Sequence, residues 1–229
     1  MATTPYTRQR SIFRTGYNPA FDSTNATIWP KNTVYAFPAS ATIMTLYSSS
    51  TADTTQLVLI EGLDANYAEI SEVVALNGQT GRATTLAYLR INNLTVLSDS
   101  PLGNISLGTG AATAGVPTNT YGYIAATDNL SAAAVYTVPA NWTLRLISGS
   151  LSVGGTAGSQ VATIGFYSTV NGVRYLTSKI GSANGFQFFS YNPALDVPEK
   201  TDIVASGTMS SGTALVTSTF NGFLVKNTL

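Results

Sequence analysis

Short runs rich in Val, Ile, Thr, Tyr and Phe recur along this 229-residue chain, each four to ten residues long and closed by Gly, Asn, Ser or Pro at intervals near a dozen residues. Runs of that length and rhythm suit strands half buried on a sheet, and no amphipathic helical period competes with them. The expected fold is therefore all-β, a β-sandwich or jelly roll. The clearest turn is Asn171-Gly172, set between Gly165 to Val170 and Val173 to Thr177. Both turn residues tolerate positive φ, which a type I′ hairpin needs to match the twist of its strands. Asn77-Gly78, Gly154-Gly155, Asn184-Gly185 and Asn221-Gly222 are weaker stops of the same kind.

Alternation breaks in two places. Leu89 and Ile91 share one parity and Leu94 and Val96 the other, so one extra residue is expected at Asn92-Asn93, in a β-bulge. Ile70, Val74 and Leu76 would place Glu72 on the apolar face of an unbroken strand. Burial of an unpaired carboxylate is costly, so either a bulge lies near Ser71-Glu72 or Glu72 is paired.

Three regions are expected. Residues 1–30 hold Arg8, Arg10 and Arg14 among Tyr6, Phe13, Tyr17, Phe21 and Trp29, with no period that would let the aromatics share a core. They look like an extended N-terminal arm. Residues 31–115 form a first β-rich region, closed by the Gly/Ala/Thr stretch 108–115, which has the composition of a linker. Residues 119–229 hold eight strand candidates, near 121–126, 132–138, 142–153, 161–168, 173–180, 185–191, 201–208 and 213–225, enough for a jelly roll.

Composition narrows the chemistry. The chain has no cysteine and no histidine, which removes Cys/His metal sites and imidazole-activated nucleophiles. Only 10% of it is charged, against roughly 25% in ordinary domains, and its eleven basic and eleven acidic residues cancel. No field draws it to nucleic acid or an anionic membrane, and no apolar run approaches the roughly 20 residues that span a bilayer. The arginines near the start precede no apolar segment of the secretory type, so synthesis in a cytoplasm is expected. The chain is expected not to be an enzyme, with no catalytic residues, no cofactor and no metal.

Glu61, Asp64, Glu69 and Glu72 place four of the eleven acids within twelve residues. They could form an oxygen cage or a glycosidase-like pair, although a hairpin with a solvated polar face accounts for them more simply. Glu69 and Glu72 should point to different faces. Five Asn-x-Ser/Thr matches, at Asn25, Asn93, Asn104, Asn129 and Asn141, are ascribed to chance in a Ser/Thr/Asn-rich chain. In Phe186-Gln-Phe188-Phe189-Ser-Tyr191, the expectation is that Phe186 and Phe188 face the core and Phe189 and Tyr191 the surface. In the arm, Tyr6, Arg8, Arg10, Phe13, Arg14, Tyr17 and Phe21 are the candidate partner-binding residues, aromatic anchors with arginines that pair with acids on a neighbouring subunit.

The segment from Leu57 to Gly78 (LVLIEGLDANYAEISEVVALNG), with Tyr88-Leu-Arg-Ile-Asn-Asn93, resembles a module of virion structural proteins of tailed bacteriophages, cyanophage-like ones especially. Tyr136 to Leu144 (YTVPANWTL), Val197 to Ile203 (VPEKTDI) and Phe220 to Val225 (FNGFLV) resemble the C-terminal part of the same proteins. The resemblance spans most of residues 57–225 and brings no functional residue with it. It implies a β-sandwich structural component of the particle. The expectation built on it is a capsid decoration or cement protein on the virion's capsid surface, a homotrimer bound over junctions of the major capsid protein. The alternative is a tail or baseplate protein that binds host surface glycan.

Overall fold

The computed structural model describes residues 9–154 and 160–227. Among them there is no helix. The strands are β1 (Gln9–Phe21), β2 (Ala26–Thr27), β3 (Thr42–Ser48), β4 (Leu57–Leu63), β5 (Glu69–Ala75) and β6 (Arg82–Tyr88). There follow β7 (Arg90–Val96), β8 (Ile105–Thr113), β9 (Val116–Ile124), β10 (Val135–Thr137) and β11 (Trp142–Gly154). The last are β12 (Ala162–Val170), β13 (Val173–Ser182), β14 (Gly185–Val197), β15 (Asp202–Met209) and β16 (Ala214–Lys226).

Two sheets, ordered β1-β16-β11-β14 and β10-β15-β12-β13, with β2 also paired to β15, face each other over one core. Taking β1 and then β10 to β16 as eight successive strands, the sheets run 1-8-3-6 and 2-7-4-5. This is the double Greek key of a jelly roll. The fold is all-β, and the Asn171-Gly172 hairpin forms as expected, with Val170 opposite Val173 and both turn residues at positive φ.

The division into regions needs correction. The segment expected to be a free arm supplies the first jelly-roll strand, because β1 pairs with β16 from Gln9 opposite Val225 to Phe21 opposite Ala214. It escapes pattern reading because its inward positions are Ile12, Arg14, Gly16 and Asn18, while aromatic Phe13 and Tyr17 point outward. Trp29, also counted with the arm, is buried against Tyr35 and Val135.

Strands β3 to β9 form a lobe inserted between the first and second jelly-roll strands. Its sheets are β6-β3-β8-β9 and β5-β4-β7, around a core that includes Met44, Leu46, Ile60, Leu94 and Leu107. The expected linker at 108–115 is instead the end of β8 and its tight turn into β9, with Thr113 opposite Val116 and Ala114 and Gly115 at positive φ. Small residues there carry no side-chain pattern, yet their backbone still pairs with β9, through two register shifts, between Leu107 and Gly108 and between Thr109 and Ala112.

The parity of the 186–191 segment is also reversed. Phe186 and Phe188 are 63% and 61% exposed, whereas Phe189 and Tyr191 pack against the core. Phe189 lies opposite Gly149 on β11, where a Cβ would meet its Cζ at 2.4 Å, and its ring stands edge-on to Phe166 at 4.9 Å. A glycine in a strand interior often marks such a close approach.

Candidate functional site

The bulge expected at Asn92-Asn93 is present, since Glu61 opposes Asn93 and Gly62 opposes Ile91, leaving Asn92 unpaired in the ladder. Its side chain is redirected onto the jelly roll. Asn92 Nδ2 donates to Thr137 O at 3.0 Å and Oδ1 accepts from Thr137 N at 2.9 Å, so the amide takes the place of a neighbouring strand on β10.

Next to this joint, Arg90 Nε and Nη2 donate to the two carboxylate oxygens of Asp202 at 2.8 and 2.9 Å. Arg90 Nη1 donates to Pro38 O and Leu89 O, and Thr137 Oγ1 donates to Asp202 Oδ1 at 2.6 Å. The guanidinium lies over Phe37, 4.8 Å from the ring centre. Arg90 is 8% exposed, so this is a buried, bidentate ion pair that ties β7 of the lobe to β15 of the jelly roll.

Above the joint, β1, β4, β5 and β10 enclose a cleft of about 380 Å³ lined by Arg10, Ser11, Ile12, Arg14, Glu61, Gly62, Glu69, Ile70, Ser71, Asn92 and Tyr136. Arg10 pairs with Glu69 across it and stacks over Trp142, with 5.2 Å to the ring centre. Burial opposes the charge on Arg10, but Glu69 outweighs it and the pKa rises. Arg14 stacks over Tyr136 at 5.1 Å. Its Nε is enclosed and unpartnered, and the side chain makes no hydrogen bond or ion pair among the described residues. Burial lowers the Arg14 pKa against the attraction of Tyr136 and Glu61. Burial likewise pushes the Tyr136 hydroxyl up to about 12, against the two arginines.

The four clustered acids are dispersed to separate tasks. Glu72 stays on the inward face of an unshifted strand pair and accepts from Thr85 N, Thr85 Oγ1 and Leu86 N, so pairing rather than a bulge accommodates it. Asp64 caps the β4–β5 turn through Asn66 N and Ala68 N. Glu61 accepts from Asn93 Nδ2 at 2.9 Å, and only Glu61 and Glu69 reach the cleft. No group of three or more acids positioned to hold a metal occurs among the described residues.

Of the candidate arm residues, Tyr6 and Arg8 lie outside the described residues. Phe21 is fully buried in the jelly-roll core and cannot anchor to a partner. It lands there because β1 shifts register against β16 between Asn18 and Phe21, which turns the ring inward. Arg10 has its acid within its own chain, at Glu69, and Arg14 has its aromatic at Tyr136. Phe13, 64% exposed, and half-buried Tyr17 lie on the outer face of the β1-β16-β11-β14 sheet. Register aligns Tyr17, Thr217, Ser152 and Phe186 in one outward row, and Thr15, Thr219, Ser150 and Phe188 in the next. This uncharged hydroxyl face, aromatic at both ends of the first row and at Phe188 in the second, with Ser150 covered, was not foreseen, although its Thr/Ser alternation in β16 and β11 is visible in the sequence.

The molecule is thus an eight-stranded jelly roll carrying a β-lobe between its first two strands. No family model matches the chain, and no curated protein matches it. Among solved structures it is similar to the infectious bursal disease virus VP2 subviral particle, at 11% identity over 96% of this chain and 72% of that one, with a TM-score of 0.26. It is also similar to the structure of the infectious bursal disease virus Gt strain, at 13% identity over 99% and 74%, with a TM-score of 0.24. Scores this low bear on neither fold nor function.

Proposed function

We propose that this chain is a structural component of a virus particle, and specifically a capsid decoration or cement protein of a tailed phage. In this reading it is a homotrimer on the capsid surface that bridges neighbouring copies of the major capsid protein. The supporting observation is the free side of the jelly roll. There β13 and β14 end their sheets with no further strand neighbour among the described residues, and Tyr175, Leu176, Phe186 and Phe188 are exposed beside them. The stretch 185–192 of β14 contains no charge and no proline, although β14 continues into Pro193 and Asp196 and β13 carries Arg174 and Lys179. A lone soluble domain normally protects such an edge with charge, proline or a covering loop, whereas an assembly uses it for contact. Fold alone does not decide function, and jelly rolls serve other ends; the lack of histidine argues against the cupin type of metal enzyme. Bridging of this kind would act mechanically, by burying apolar surface across subunit boundaries against the pressure of packaged DNA.

Native mass spectrometry of the purified protein and copy number in purified particles test the proposal. A trimer present in hundreds of copies is the expected result. Single units to tens per particle would favour the tail or baseplate reading, for which the aromatic-ended hydroxyl face is the supporting feature. Absence from particles would refute both.

A further inference from the structure

We propose that the cleft between β1, β4, β5 and β10 binds a carboxylate-bearing sugar, with Arg14 as the anchor for its carboxylate. A guanidinium presents five N–H donors, and burying one without acceptors is costly unless something completes it. Arg14 lines this cleft with its Nε enclosed and unpartnered, while its two terminal nitrogens are not enclosed and make no hydrogen bond or ion pair among the described residues, so they are the donors open to a ligand. Tyr136 stacks against it, 5.1 Å from the guanidinium carbon to the ring centre, a contact that restricts the guanidinium and lowers the entropy lost when its fork meets a planar carboxylate.

The remainder of the lining decides what carries that carboxylate. Glu61 and Glu69 also face the cleft, and they would repel a ligand that offered nothing but negative charge. A sugar brings hydroxyl donors for those two carboxylates, and Ser11 and Ser71 add hydroxyls that accept or donate in turn. An acidic peptide side chain brings none of this. The volume of about 380 Å³ lies within the range of small-molecule pockets, about 300–1,000 Å³. The site lies on the side of the jelly roll away from β13 and β14, so it is independent of the surface invoked for assembly.

The test is ligand-observed NMR titration of the full chain with D-glucuronate, D-glucose and glutarate, the last a carboxylate without hydroxyls. Glucuronate should bind with a roughly millimolar Kd, at least about tenfold tighter than either of the others. Arg14→Met should abolish this binding while leaving Tm close to the wild-type value, because the Arg14 side chain makes no hydrogen bond or ion pair among the described residues whose loss would destabilise the fold. Ser71→Tyr fills the cleft from an exposed strand position without touching Arg14 and should also abolish binding, which keeps the test valid if Arg14→Met fails to fold. Equal binding of glutarate would convert the site to one for acidic peptides, and equal binding of glucose would remove Arg14 from its role. No binding by any probe, or wild-type binding by either variant, would overturn the proposal outright.

Discussion

Removing the Asp202 carboxylate should cost more stability than any substitution of an exposed residue. In Asp202→Ala, Arg90 keeps its bonds to Pro38 O, Leu89 O and Tyr67 Oη but loses both bonds to the carboxylate, at 2.8 and 2.9 Å, and with them its one counter-charge among the described residues. Thr137 Oγ1 loses its acceptor as well. Leaving one member of a buried pair uncompensated costs about 3–5 kcal/mol. Against a total stability of about 5–15 kcal/mol this is a large fraction, and at about 2–4 °C per kcal/mol for a chain of this size Tm should fall by roughly 6–20 °C. The double variant Arg90→Met with Asp202→Ala removes charge from both sides and should recover at least about 2 kcal/mol relative to the sum of the single changes Arg90→Met and Asp202→Ala. Urea unfolding of wild type, both single variants and the double variant closes the cycle. A fall below about 2 °C for Asp202→Ala, or a cycle additive within about 0.5 kcal/mol, would show that the pair is not what couples the lobe to the jelly roll.

Three further outcomes follow from the same architecture. Asn92→Ala leaves Thr137 N and O without partners, so it should destabilise by about 1–3 kcal/mol and separate the melting of lobe and jelly roll in calorimetry. Deleting residues 2–28 removes β1 with Ile12 and Phe21 from the core, so the truncated protein should fail to fold, as read by circular dichroism; a folded product would mean that β1 is dispensable. At Asp53 burial opposes ionisation, but bonds from Ser48 Oγ and from the N–H groups of Leu102 and Gly103 outweigh it and hold the carboxyl below its ordinary range. That contribution is intact above the unfolded pKa of about 3.9 and is lost as pH falls through the folded value, so Asp53→Asn should flatten the acid limb of a stability-versus-pH series.

What was legible in the sequence was what local pattern controls. Asn171-Gly172 specifies its hairpin because two adjacent positive φ values are a local demand. The break in parity at Asn92 is likewise local, since one residue inserted into a strand inverts every position after it. Strand positions in the second half match closely for the same reason. Strand partners are not local. β1 was missed because an edge strand of a sandwich can carry Arg, Gly and Asn at inward positions where a central strand could not, and its outward Phe13 and Tyr17 imitate an apolar stripe on the wrong face. Phe186 to Tyr191 shows the same limit from the other side: with aromatics at both parities, only Gly149, thirty-seven residues before Phe186, decides which ring enters the core.

The cleft was out of reach for a topological reason. Its arginines come from the first jelly-roll strand, its carboxylates from the inserted lobe and its tyrosine from the second jelly-roll strand. Clustering in sequence singled out Glu61 and Glu69 together with Asp64 and Glu72, yet what brings the first two to the cleft is the face of the β4–β5 pair that the lobe turns toward β1. An insertion between the first two strands of a jelly roll must leave and re-enter where the edges of the two sheets adjoin, here at β1 and β10. The lobe therefore packs against the edge where Arg14 emerges from between the sheets, and a residue poorly suited to either sheet's core becomes the floor of a site shared by both parts.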